Sequence, residues 1–385
     1  MHAVVCGLMA SFPLGGVAWD YGQYVLGLRR LGFDITYLED TGWMAYDPRS
    51  GEDGESFAYG AQFVEQTLRE LDPALAGCFH ILEMDGTAHG LSRDEFADVI
   101  ASTDMFLNVS GAALLRDEYL PARRKVLVDT DPGWNHFHRF PQQQQLRASR
   151  GQPALDAHDH FLTYAERFDA PDCPLPSMGM EWQPTRPPVV LDRWASNGPG
   201  ESWTTVMMWE PYMKPIEWNG VAYGTKDVSF ARIEGLPETS PVPLQIAVGG
   251  AAPRERWRGH GWNVLDATAI STSPRAYRDY VAGSRGEFSV AKDVYVATRS
   301  GWFSCRTVCY LASGRPAVVE DTGFGELIGA HEGLLPWSDV AGARAALAAA
   351  EADYEAHAQG ARALAAQRFD SDLVLGELLE RVGLG

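Results

Sequence analysis

The 385-residue chain is poor in basic residues. It carries 32 Lys and Arg against 51 Asp and Glu, a formal charge of −19 at pH 7. A surface of that sign excludes non-specific nucleic-acid binding, which rests on neutralising phosphates. It still leaves room for a local basic pocket that takes one small anion. Cysteine is scarce too: Cys6, Cys78, Cys173, Cys305 and Cys309 are scattered, and none forms a CxxC pair. That argues against a zinc ribbon and against a disulfide framework. Cys305 and Cys309, one helical turn apart, read as buried thiols on a helix face. No apolar run approaches the roughly 20 residues of a membrane span. The opening MHAVVCGLMASF has no basic leader and reads as a first strand, so a cytoplasmic protein is expected.

Several familiar motifs are missing as well. A dinucleotide enzyme places GxGxxG directly after its first strand, with an acid about 20 residues on. The loop here is Ala10-Ser11-Phe12-Pro13-Leu14-Gly15-Gly16, and the later VGGAAPRERW also lacks that spacing. There is no Walker A sequence and no GxSxG elbow, which removes the P-loop and serine-hydrolase readings.

What remains is a chain 45% hydrophobic and 11% aromatic, able to bury large cores and long enough for two domains. Strand and helix patterns alternate. HAVVCGLM, FDITYLE, FHILEMD, DMFLNVS, KVLVDTD and HFLTYAE are short apolar runs fit for buried strands. Between them lie YGQYVLGLRRLG, with Gly32 as C-cap, FAYGAQFVEQTLREL, and SRDEFADVIAST, with Ser92 and Glu95 forming a capping box. Thr41 to Glu55 reads as a polar excursion. From about residue 170 to 200 proline and glycine crowd the chain, which marks a linker. The alternation then restarts with WTTVMMW, VPLQIAVGG, NVLDA, GEFSVA and AVVED as strands. A long alanine-rich helix and DSDLVLGELLERVG close the chain. The pattern is α/β, with two Rossmann-like doubly wound domains. The expected divisions are 1–185, 186–365 and a C-terminal helix at 366–385.

The segment RSGWFSCRTVCYLASGRPAVVEDTGFGELI is a helix, a small-Gly-x-Pro step, a short apolar strand, then acids and a glycine turn. It resembles the donor-binding block of bacterial GT-B glycosyltransferases. GGVAWDYGQYVLGLRRLGFDITYLEDTG resembles their opening glycine loop, first helix and second strand. The resemblance implies two domains facing a cleft, with the C-terminal helix crossing back to the first. It further implies transfer of a sugar from a nucleoside-diphosphate sugar to a hydroxyl of a small, natural-product-like acceptor. Many such enzymes carry two glutamates eight positions apart around this helix. The aligned positions here are Gly301 and Cys309, so that mode of donor binding is not expected.

In this frame the strand-end acids Glu320 and Asp321, with the Thr322-Gly323 turn and Glu326, are expected to hold donor hydroxyls. Ser304, capping a helix, would present free N–H groups to a diphosphate, with Ser300, Gly301 and Arg306 around it. No DxD motif sits in a convincing loop, so cations replace a metal at the leaving group: Lys292 after a strand, and Lys226. Gly249-Gly250 would let backbone approach the nucleotide. In the first domain, Gly15, Gly16 and Trp19 form the cleft loop. Asp20 is the expected base, and VDTDPGWNHFH adds Asp131, His138 and a second candidate base, His136. Scattered tryptophans (Trp43, Trp134, Trp209, Trp218) offer stacking surfaces. No cofactor, metal, nucleic acid or membrane span is expected, and a homodimer stays open. The alternatives are a GT-B-fold nucleotide-sugar epimerase and a non-catalytic GT-B partner protein.

Overall fold

The computed structural model describes residues 1–194, 198–209, 215–329 and 331–385. Residues 195–197, part of the expected linker, lie outside the described residues. The first sheet has eight strands. Edge to edge they run Trp182–Pro184, His160–Thr163, Lys125–Asp129, Met105–Val109, His2–Cys6, Asp34–Glu39, Phe79–Leu82 and Ala88–Gly90. All pair in parallel except the last, which forms an antiparallel hairpin with Phe79–Leu82. Met105–Val109 is buried at every position and His2–Cys6 at all but its first. Such continuous burial is what a parallel sheet covered on both faces requires.

The second sheet has six parallel strands: Asn263–Asp266, Leu244–Gly250, Trp203–Trp209, Gly286–Ser289, Ala317–Glu320 and Leu334–Trp337. In each sheet the winding direction reverses once near the middle. In the first it reverses between His2–Cys6 and Met105–Val109, in the second between Trp203–Trp209 and Gly286–Ser289. Crevices outside the carboxyl ends of strands at such reversals are where open α/β sheets bind ligands.

Several elements differ from the sequence reading. The first helix is Gly15–Arg30, so Gly15 to Asp20 are helical rather than loop. Gly15 lies so close to the second domain that a Cβ there would sit 2.2 Å from the Ser273 carbonyl oxygen. Trp182–Pro184 lies inside the proline-rich stretch yet extends the first sheet. The run containing Pro336 is a strand at the sheet edge, where a missing N–H removes no ladder bond. The single alanine-rich helix is two, Val340–Ala352 and Tyr354–Leu364, broken at Asp353, whose side chain accepts from Ala356 N to start the second. The last helix, Ser371–Arg381, returns to the first domain: a Cβ at Gly27 would lie 2.5 Å from Leu375. Ser92 and Glu95 form the expected capping box.

Candidate functional site

The carboxyl ends of the two sheets face each other across a cavity of about 990 Å³. Val109 and Ser110 reach it from the first sheet. Val206 to Met208, Gly249 and Val290 to Lys292 reach it from the second. Both winding reversals therefore open into one space. The domains touch along its rim. Gly15 N donates to Ser271 O (2.7 Å), Trp19 Nε1 to Pro274 O (2.8 Å) and Trp302 Nε1 to Thr130 O (3.0 Å).

Asp20 is partly buried on the cavity wall. Burial pushes its carboxyl up to about 6, against the pull of the Cys305 thiol that donates to it and of the nearby Arg306 charge. The same burial, together with the Asp20 charge, keeps the Cys305 thiol protonated. Cys305 opens the helix Cys305–Ala312, capped by Ser304, whose Oγ accepts from Arg306 N (3.2 Å). Arg306 is anchored by the buried Glu287 carboxylate (2.7 Å) and Val206 O (2.8 Å). Opposite, Lys292 Nζ bonds Asp131 Oδ2 at 2.5 Å, and the Tyr295 hydroxyl donates to Asp131 Oδ1. Lys226, at the start of the helix Lys226–Ile233, completes the cationic side. Among the described residues, no three His, Cys, Asp or Glu side chains gather to hold a metal ion.

No family model and no curated protein matches the chain. Its similarity is to solved structures. It superposes on AviGT4, a glycosyltransferase involved in avilamycin A biosynthesis, with a TM-score of 0.54 at 12% identity, covering 99% of this chain and 97% of that one. Against Alr3699/HepE of Anabaena, in complex with UDP and glucose, the TM-score is 0.55 at 11% identity, over 99% and 98% of the two chains. Against the sucrose-phosphate synthase of Thermosynechococcus elongatus it is 0.50 at 10% identity, over 99% of both. The chain has the GT-B fold.

Within the GT-B cleft the structure brings together Gly16, Asp20, Asp131, His138, Lys226, Gly249, Lys292, Ser304 and Arg306. The other candidates stand elsewhere. His136 is fully buried, with Nδ1 on Pro176 O (3.0 Å), Nε2 on Asp129 Oδ2 (3.1 Å), and its ring among Phe140, Phe168 and Trp182. The expectation of a base there is corrected: both ring nitrogens are engaged and neither reaches the cleft. Trp19 is buried against Trp194 and offers no stacking face. Trp209 and Trp218 pack on Trp257 and Phe137, whereas Trp43 and Trp134 do line the cavity.

The strand-end acids lie off the lining of this cavity. Glu320 is buried behind the cleft wall, accepting from Ala291 N (3.0 Å) and Arg232 (3.2 Å). Asp321 accepts from Gly323 N and Gly325 N, capping its own turn. Thr322 Oγ1 donates to Trp302 O at 2.6 Å. Gly301 and Gly323 both have positive φ and pack against Arg167, and Ser300 is buried with its carbonyl accepting from Arg167 N. Glu326 is exposed and pairs with Arg167 and Arg299. Gly250 is exposed as the last residue of its strand, and of the two glycines it is Gly249 that lines the cavity.

Sequence reasoning missed Arg139, Tyr24, Tyr164, Tyr295 and Cys305 on the cleft wall. For Arg139 a signal existed: HFHRFPQQQQ follows a strand end, although its π-turn geometry has no simple sequence period.

Proposed function

We propose that the chain is a glycosyltransferase, moving a sugar from a nucleoside-diphosphate sugar to a hydroxyl of a small acceptor without a metal ion in the step. The observation that carries this is the facing of Asp20, on the first domain's helix, with the Ser304-capped helix start and two lysines of the second. A near-neutral carboxyl opposite donors and cations fits a base opposite an anionic leaving group. Support for the donor class comes from the neighbours: Alr3699/HepE is described in complex with UDP and with UDP-glucose. UDP is therefore the first nucleotide to test.

In this reading Asp20 takes the proton of the acceptor hydroxyl as that oxygen bonds to the anomeric carbon. The bond from that carbon to the diphosphate oxygen breaks, and its electron pair leaves with the diphosphate. Lys292, Lys226 and the positive end of the helix Cys305–Ala312 meet the charge that develops. Among the described residues no helix is long and apolar enough to cross a membrane, and a cytoplasmic location is part of the same proposal. The test is release of nucleoside diphosphate from a panel of nucleotide sugars, with and without acceptor mixtures. Acceptor-dependent release supports a transferase. A rearranged sugar nucleotide without release points to an epimerase, and neither product points to a binding protein.

A further inference from the structure

Arg139 ends a π-helical turn, Asn135–Arg139, that leads into the helix Phe140–Ser149. Such wide turns are uncommon and recur at functional sites. This one sets Trp134, Asn135, Arg139 and, one turn on, Gln143 along the first-domain wall of the cavity. Arg139 donates to Ser110 O (2.9 Å) and Gly111 O (2.7 Å), and its guanidinium lies 5.0 Å from the centre of the Trp43 ring. These contacts fix the group without neutralising it. The two carboxylates whose charge it feels, Asp129 and Asp131, are both committed. Asp129 takes His136, Asn135 and Thr163, and Asp131 takes Lys292 and Tyr295. Buried charges are normally paired. In a chain with 51 acids, a partly buried arginine whose hydrogen bonds go only to carbonyls is a site waiting for an anion.

Two further groups on the same wall lack partners. Asn135 is 1% exposed, its Nδ2 is held by Asp129 at 2.6 Å, and its Oδ1 has no hydrogen bond. The buried Oε1 of Gln143 has none either. Both atoms accept only, so they call for hydroxyl donors.

We propose that this wall holds an acidic sugar as acceptor, its carboxylate on Arg139 and its hydroxyls on Asn135 and Gln143. The proposal rests on the transferase reading and names its acceptor class. A guanidinium fork matches a carboxylate, and the amide oxygens match ring hydroxyls.

The test titrates the intact protein with methyl β-glucuronide and methyl β-glucoside, which share a hydroxyl frame and differ by the carboxylate. Binding is read by saturation-transfer NMR, with UDP titrated into the same samples. The expected result is a preference of about tenfold or more for the glucuronide, a preference that shrinks with added salt. Arg139→Gln abolishes the preference and Arg139→Lys retains part of it, with UDP affinity unchanged in both. Equal binding of the two glycosides, binding of neither, or a preference that survives Arg139→Gln overturns the proposal. If Arg139→Gln does not fold, the wild-type comparison and its salt dependence still decide. Failure of UDP to bind the wild type would instead remove the transferase reading beneath it.

Discussion

Lys292 of the second domain and Asp131 of the first meet across the cleft, Nζ to Oδ2 at 2.5 Å, each about a quarter exposed at 27% and 28%. The carboxylate occupies the ammonium that the proposed donor diphosphate needs. Lys292→Ala should weaken UDP binding by about tenfold or more, since hydrogen bonds to charged groups contribute about 1.5–3 kcal/mol. Asp131→Asn should tighten it, because the competitor loses its charge. Calorimetric titration of both variants checks this, and a loss in Asp131→Asn as large as in Lys292→Ala would contradict it.

Asp20 supplies a pH dependence. As a base it must be ionised, so kcat/KM should rise with pH through about 6 and level off above. Asp20→Asn should lower the rate about 10²- to 10⁴-fold and erase that limb. Stability runs the other way. The folded state holds this proton more tightly than the unfolded chain between the ordinary 3.8 and about 6. The contribution to stability therefore falls as pH rises through that window. Denaturant melts of wild type and Asp20→Asn across the same range should differ in slope with that sign.

His136 should behave as a structural residue. Burial acts to raise the Asp129 carboxyl, but hydrogen bonds from His136, Asn135 and Thr163 hold it below its ordinary value. His136→Ala removes one partner of a fully buried charge, a change that costs about 3–5 kcal/mol. Urea unfolding should show that loss. UDP affinity, measured well below the melting transition, should stay at the wild-type value.

Glu326 and Glu320 should separate from donor binding in different ways. Glu326→Gln weakens an exposed pair with Arg299 and one with the largely buried Arg167, which keeps Asp172, so it should cost about 1 kcal/mol or less and leave UDP affinity unchanged. Glu320→Ala orphans Ala291 N behind the cleft wall and should lower the melting temperature measurably. A specific loss of nucleotide affinity in Glu326→Gln would restore it to the donor site.

The sheets were legible because buried parallel strands read as bare apolar runs, as at Met105–Val109, and because Ser92–Glu95 marks a helix start unaided. Strands carrying proline were not: Trp182–Pro184 and Leu334–Trp337 are held by sheet neighbours far away in sequence. At the site, Asp20, Lys292 and Ser304 were legible from their places after strands or at a helix start. Glu320 and His136 carry the same local signal as cleft residues. What separates them is depth, set by Ala291 and Arg232 for one and by Asp129 and Pro176 for the other. Arg139 was hidden for the opposite reason, since only the assembled fold shows that the carboxylates nearest it are taken.

The most direct measurement is thermal unfolding of the wild type and Lys292→Ala against a panel of nucleoside diphosphates, with NAD, NADP and pyridoxal phosphate as controls. A ligand at 100 times its dissociation constant adds about 2.7 kcal/mol to stability. The expected result is such a shift with one nucleoside diphosphate, UDP first among them, strongly reduced in Lys292→Ala. A shift with NAD or NADP alone, or with no nucleotide at all, would contradict a nucleotide-sugar site in this cleft.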